Sequence, residues 1–88
     1  MADDKNLADR VAQIIKQMDM LVSDMSVPKN VRSAITEART RLSTDEAYMV
    51  RISSAIYSLD SISGDINLPS QARTAVWSIL SMLESIKT

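Results

Sequence analysis

Four charged residues recur in register and are the first candidates for chemistry. Asp24 stands four residues before Pro28 and Arg32 four after it; Asp65, Pro69 and Arg73 repeat that spacing. A carboxylate and a guanidinium about one helical turn apart can do one of two things. The simpler is structural: the Asp accepts the N–H groups of a turn and pairs with the Arg at the start of the next helix, so that Asp24 with Arg32 and Asp65 with Arg73 each lock a hairpin. The other is a pair of quasi-symmetric anion or metal sites. Two carboxylates in different hairpins lack a third ligand, so no metal site is expected.

Composition removes most other chemistry. The chain has no Cys and no His, which excludes disulfides, thiolate nucleophiles and the commonest general base and metal ligand. The many Ser residues fall on polar helix faces without the glycines of a nucleophile elbow. No Gly-rich phosphate loop is present. No catalytic residue, cofactor or enzymatic activity is therefore expected. A formal charge of −1 gives no bulk attraction to nucleic acid or anionic lipid. No apolar run approaches a membrane span, and the acidic start Met1-Ala2-Asp3-Asp4-Lys5 does not read as a signal peptide. The absence of disulfides suits a cytoplasmic location.

What positions these residues is a set of amphipathic helices. Hydrophobic content is 45% with only 3% aromatics, so Leu, Ile, Val, Met and Ala must fill the core, and 88 residues suffice for one domain. Leu7, Val11, Ile14, Ile15, Met18, Leu21, Val22 and Met25 step along one face of a first helix over about 4–24, capped by Asp3 or Asp4. Pro28 ends it and suits the first turn of a second helix over about 27–42, capped by Ser26 and buried on Val31, Ala34, Ile35, Ala38 and Leu42. Ser43 and Glu46 fit a capping box that opens a third helix over about 45–63, on Tyr48, Ile52, Ala55, Ile56, Leu59 and Ile62. No Gly or Pro enforces that break, so a continuous helix across 27–63 stays open as the alternative. Gly64 is the natural residue for a positive-φ helix end. Asn67 then caps a fourth helix over about 68–86, with Ala72, Ala75, Val76, Ile79, Leu80, Leu83 and Ile86 as its stripe.

The hairpins are related. Arg10–Leu42 aligns with Arg51–Leu83 at an offset of 41 without a gap, with 8 identities in 33 positions, including Asp24/Asp65, Pro28/Pro69 and Arg32/Arg73. Any two amphipathic hairpins share apolar matches, but not a polar and Pro pattern in register. The sequence thus predicts an all-α, compact up-and-down four-helix bundle, a single domain over 1–88 built from hairpins at about 4–42 and 45–86.

Three residues point away from these stripes. Trp77 lies roughly 140° from the centre of the fourth helix's apolar face. It is either an edge Trp stacked on Arg73 or an anchor for a partner. Val50 and Tyr57 lie seven apart on the outer face of the third helix, and Met20 on the first joins them. Val50, Tyr57 and Trp77 form the candidate interface, and a homodimer is expected because exposing such side chains gains a monomer nothing. The second helix is the basic element, with Lys29, Arg32, Arg39 and Arg41 against Glu37. Lys29, Arg32 and Arg39 share a flank that reads as a solvated face. Weak RNA or DNA contact, with Arg73 added, is the alternative. Arg10 and Arg51 flank the core stripes and read as stems covering apolar surface rather than as a phosphate clamp.

Two resemblances follow from the quoted residues. Leu21, Asp24, Val31-Arg32, Ala34 and Ala38 resemble the hairpin of HEAT-type repeats, although two extra residues, one of them Pro, separate Asp from Arg here. Over nearly its whole length the chain resembles the archaeal uncharacterised protein family numbered 0147. That resemblance is carried by Leu21-x2-Asp24-x2-Val27-Pro28, Val31-Arg32-x-Ala34, Val50-Arg51, Leu59-Asp60-x-Ile62-x2-Asp65, Leu68-Pro69-x2-Ala72-Arg73-Thr74, Trp77 and Leu83-Glu84. It implies an archaeal, cytosolic four-helix protein. The family brings no established activity, so no functional residue is carried over. The function that remains is a small cytosolic protein-binding or scaffold module that also self-associates, with a weak RNA- or DNA-binding accessory role on the basic face of the second helix as the alternative.

Overall fold

Four α-helices follow one another along the chain: α1 (Asp4–Ser23), α2 (Lys29–Leu42), α3 (Tyr48–Ser63) and α4 (Ser70–Lys87). The computed structural model describes residues 4–65 and 67–87, and no strand occurs among them. Each helix packs on its neighbours in a ring, α1 on α2, α2 on α3, α3 on α4 and α4 back on α1, the last contact being the sparsest. The result is an up-and-down bundle 40 Å long and about 20 Å across, with extents of 22 and 18 Å in the short directions. Helices 2 and 3 are separate, so the continuous alternative is excluded.

The core is the set of stripes read from periodicity. Val11, Ile14 and Met18 of α1, Val31, Ile35, Ala38 and Leu42 of α2, Ile52, Ala55 and Leu59 of α3, and Ala72, Val76, Ile79, Leu80, Leu83 and Ile86 of α4 are buried in one cluster. Burial repeats at the internal offset: Val11/Ile52, Met18/Leu59, Val31/Ala72, Ile35/Val76 and Leu42/Leu83 are all buried pairs. Two core residues lie outside the helices. Val27 and Leu68, each just before the hairpin Pro, are 7% and 6% exposed and plug the ends of their turns. Met25 leaves the stripe because α1 stops at Ser23; it sits on the turn at 80% exposure.

The helix starts differ from expectation because the hydroxyls assigned to caps are used elsewhere. Ser26 gives both its N–H and its hydroxyl to Asp24. Pro28 is the N-cap of α2 and no side chain bonds the first amides. The hydroxyls of Ser43 and Thr44 donate to the Arg39 and Arg41 carbonyls. They thereby finish α2 instead of opening α3, which begins after Ala47 without a side-chain cap. This is the competition between short polar side chains and nearby backbone that propensity alone leaves undecided. Gly64 keeps φ at −95°, so the conformational latitude of glycine is unused. Asn67 lends its N–H to Asp65, and Asp3 lies outside the described residues.

Candidate functional site

The two turns are copies in detail. The N–H groups of Asp24 and Asp65 donate to the carbonyls of Leu21 and Ile62, and those of Val27 and Leu68 to the carbonyls of Asp24 and Asp65. The N–H groups of Arg32 and Arg73 donate to the carbonyls of Pro28 and Pro69. The Asp24 carboxylate accepts the Ser26 hydroxyl at 2.7 Å and the Ser26 N–H at 2.9 Å. Those two bonds, the hydroxyl first, hold its pKa below the ordinary carboxylate value. Asp65 accepts the Asn67 N–H at 2.9 Å in the same way. Half of the expected lock is therefore present.

The other half is corrected. Asp24 and Arg32 do not pair, because Arg32 turns back to donate Nε–H to the Val27 carbonyl at 3.1 Å and reaches the Met25 sulfur. Ion pairs form elsewhere, at Arg39–Asp19 and Arg41–Glu37. Nor do Asp65 and Arg73 pair; among the described residues the Arg73 guanidinium has no hydrogen-bonding or ionic partner, unlike its counterpart Arg32.

The basic flank is also rearranged. Lys29 and Arg32 line an open groove of about 370 Å³ with Val22 and Thr36, between α1 and α2. Arg39 instead bridges to Asp19 of α1, which neutralises it and ties the two helices together. Arg10 donates to the Ser85 hydroxyl at 3.0 Å and so joins α1 to α4. Arg51 donates to the Glu46 carbonyl and lies over the Tyr48 ring, 4.4 Å from its centre. That is the guanidinium–ring stack found among the described residues; none forms between Arg73 and Trp77. Among the described residues no group of three or more His, Cys, Asp or Glu side chains is placed to hold a metal, and no helix is long and apolar enough to cross a membrane.

The candidate interface is where the two hairpins part company. Val50, Tyr57 and Trp77 are 46%, 77% and 58% exposed. At the offset of 41 their equivalents are Asp9, Lys16 and Thr36, which are likewise exposed. The same places on the same fold are polar in one hairpin and apolar in the other. A further exchange sits beside them. Position 39 is the Arg that pairs with Asp19; its equivalent is Leu80, which is buried, and Asp60, the equivalent of Asp19, has no ion-pair partner among the described residues. Asp60, Ser63, Trp77, Leu80, Ser81 and Glu84 line a cleft of about 270 Å³ between α3 and α4. Tyr57 is one turn before Asp60 on α3. Met20, also grouped with this surface from the sequence, lies instead on the α1–α4 seam with Gln17, Ala75 and Ser78.

The internal copies found only by comparing the hairpins residue by residue, Leu80 against Arg39 and Asp60 against Asp19, were legible in the repeat alignment. What they do required the observed Arg39–Asp19 bridge.

Fold and surface together define a duplicated-hairpin helical protein whose two halves share a core and differ in one outward face. The chain belongs to the Uncharacterised protein family (UPF0147), whose model matches residues 1–86. It is 40% identical to a UPF0147 protein of Sulfolobus acidocaldarius over 89% of each chain. It is 46% identical to one of Methanothermobacter thermautotrophicus over 90% of this chain and 76% of that one. Among solved structures it is similar to the unknown function protein MMP1188, with a TM-score of 0.84, 39% identity, and 92% of this chain and 93% of that one covered. A UPF0147 protein of Thermoplasma acidophilum gives a TM-score of 0.81 at 32% identity, over 94% of this chain and 95% of that one.

Proposed function

We propose that this protein is a small cytoplasmic binding or scaffold module without a catalytic role, and that the outward face of α3 and α4 is its contact surface. One observation carries the reading: Val50, Tyr57 and Trp77 stand at exposed positions that the equivalent hairpin fills with Asp9, Lys16 and Thr36. The fold tolerates polar residues there, so folding does not account for the apolar ones. Exposed aromatic residues that a fold does not need are characteristic of contact surfaces. A second copy of the chain is one partner such a face can take.

Nucleic-acid binding is the weaker proposal. Of the cations it needs, Arg39 is paired with Asp19 and Arg32 holds a carbonyl of its own turn. Retention on RNA or DNA at low salt, with a salt slope reduced by Arg39→Ala, would favour it.

The test of the contact surface uses the hairpins as each other's control. A photo-crosslinking residue is placed at Tyr57 in one variant and at Lys16 in another, and each is irradiated in native cell extract. Adducts at Tyr57 and not at Lys16 support the proposal. Equal yields at both, or none at either, refute it.

A further inference from the structure

The outer stripe of α4 has a symmetry of its own. Arg73, Trp77, Leu80 and Glu84 follow one another at intervals of four, three and four residues, which aligns them along one side of the helix. The two apolar residues lie in the middle and the opposite charges at the ends. The stripe is balanced about the point between Ser78 and Ile79: Arg73 and Glu84 are equally far from it, about 8 Å at 1.5 Å per residue, and Trp77 and Leu80 are equally near. Resting on the reading that this face is the contact surface, we propose that its occupant is a second copy of this chain. The two α4 helices pack antiparallel about a two-fold axis at that point, with Arg73 of each copy against Glu84 of the other and each Trp77 over the other copy's Leu80.

A two-fold interface must be self-complementary, each residue meeting its counterpart's partner. A stripe with a cation at one end and an anion at the other meets that condition antiparallel and violates it parallel, where like charges would face each other. The charges bear this out on both ends. Arg73 has no intrachain partner among the described residues, although its counterpart Arg32 has two. At the other end Asp60 adds a second carboxylate beside Glu84 in the α3–α4 cleft, because Leu80 occupies the position from which Arg39 neutralises Asp19 in the first hairpin. The unpaired guanidinium of one copy is thus set against the acidic end of the other, where Asp60 and Glu84 stand together. Leu80, 9% exposed, forms the floor of the cleft at the height where the partner's Trp77 arrives. Tyr57, one turn from Asp60 on α3, flanks the contact. The apolar area on offer, a partly covered Trp and Tyr with their neighbours, is about half of the roughly 800 Å² per partner of a standard interface. A dimer with a Kd in the micromolar range, rather than an obligate one, is the form it supports.

The test is sedimentation equilibrium of the full chain at concentrations from about 5 to 500 µM, which bracket such a Kd. Arg73→Glu and Glu84→Arg are measured alone, mixed in equal amounts, and combined in one chain. The wild type is expected to dimerise within that range. Each single variant sets like charges against each other twice and should dimerise at least about tenfold more weakly. The equimolar mixture and the double variant restore both pairs and should return to within about threefold of the wild type. The neutral changes Arg73→Gln and Glu84→Gln serve if a charge reversal disturbs folding: each alone removes both pairs and should weaken the dimer, and mixing them restores one pair of the two, so the mixture should fall between the single variants and the wild type. A wild-type chain that stays monomeric throughout overturns the proposal, and so does a dimer indifferent to the single changes or a mixture no better than its components. A monomer that still gives crosslinks at Tyr57 in extract would leave the contact surface standing with a different occupant, so the two readings fail separately.

Discussion

Replacing Val50, Tyr57 and Trp77 by the residues that hold the same places in the first hairpin, as Val50→Asp, Tyr57→Lys and Trp77→Thr, separates what the fold uses from what it merely displays. Complete burial of one such side chain contributes about 1.5–3 kcal/mol. At exposures of 46%, 77% and 58%, roughly half of Val50, a quarter of Tyr57 and two fifths of Trp77 are covered within the chain. That scales to about 1, 0.5 and 1 kcal/mol, or about 2–3 kcal/mol for the three together. In a domain of this size each kcal/mol moves Tm by about 4–8 °C, so a drop of about 10–20 °C is the most the dilute chain should show. Single truncations of the buried counterparts in the same helices, Leu59→Ala or Ile79→Ala, should each cost about 2–5 kcal/mol. Thermal melts followed by circular dichroism at about 2 and 200 µM are the assay. At the lower concentration the triple variant should remain folded with the stated loss. At the higher one the wild type should gain in Tm through association and the variant should not. A loss above about 5 kcal/mol in the dilute chain would refute the reasoning, because the three side chains would then be structural.

Two further outcomes follow from individual contacts. The Asp24 pKa is lowered in the folded chain by the Ser26 hydroxyl and N–H, so its contribution to stability is present above the unfolded carboxylate value of about 3.9 and is lost as pH falls through the lower folded value. Urea midpoints of Asp24→Ala and wild type should accordingly differ at about pH 6 and converge at about pH 2; a gap that stays constant with pH would assign the effect to turn conformation instead. Among the described residues Ser58 is the one buried polar side chain of the core, and its hydroxyl has no hydrogen-bond partner there. Ser58→Ala should be neutral or stabilising by about 1 kcal/mol in the same unfolding measurement, and a loss of that size would show that the hydroxyl is bonded.

The bundle was legible because a helix that buries one face must repeat its apolar residues at the helical period, and Ile35, Ile52, Leu59 and Val76 do so. The repeat was legible because Asp, Pro and Arg recur in register at the turns, where packing alone would not demand them. The destinations of polar groups were not. Ser26 and Ser43 each had an orphan helix N-terminus and a nearer acceptor within reach, and the nearer acceptor won. Arg32 has a side chain long enough to reach either Asp24 or the Val27 carbonyl, and spacing cannot choose between them. Arg39 crosses to another helix, so its partner Asp19 becomes visible only once α1 and α2 are packed. The outward direction of Trp77 and Tyr57 came from helical angles and held, since an angle on a regular helix survives packing better than the course of a flexible side chain.

The two hairpins answer to the same folding demands, with the same turn hydrogen bonds and the same buried positions, and this makes each a control for the other. Where both are buried they stay apolar, Val11 with Ile52 and Met18 with Leu59. Where both are exposed the fold is indifferent, and a difference there must come from something outside the fold. Three of the differences at exposed positions gather on the outward face of α3 and α4, from Asp9, Lys16 and Thr36 to Val50, Tyr57 and Trp77, whereas Met20 against Ser61 runs the other way on the α1–α4 seam. The exchange of Arg39 for Leu80 belongs to the same change, because it removes an intrachain bridge from the second hairpin while leaving Asp60 in place beside Trp77. One hairpin therefore uses that seam to hold its own helices together, and the other keeps it open at the point where an aromatic side chain faces the solvent.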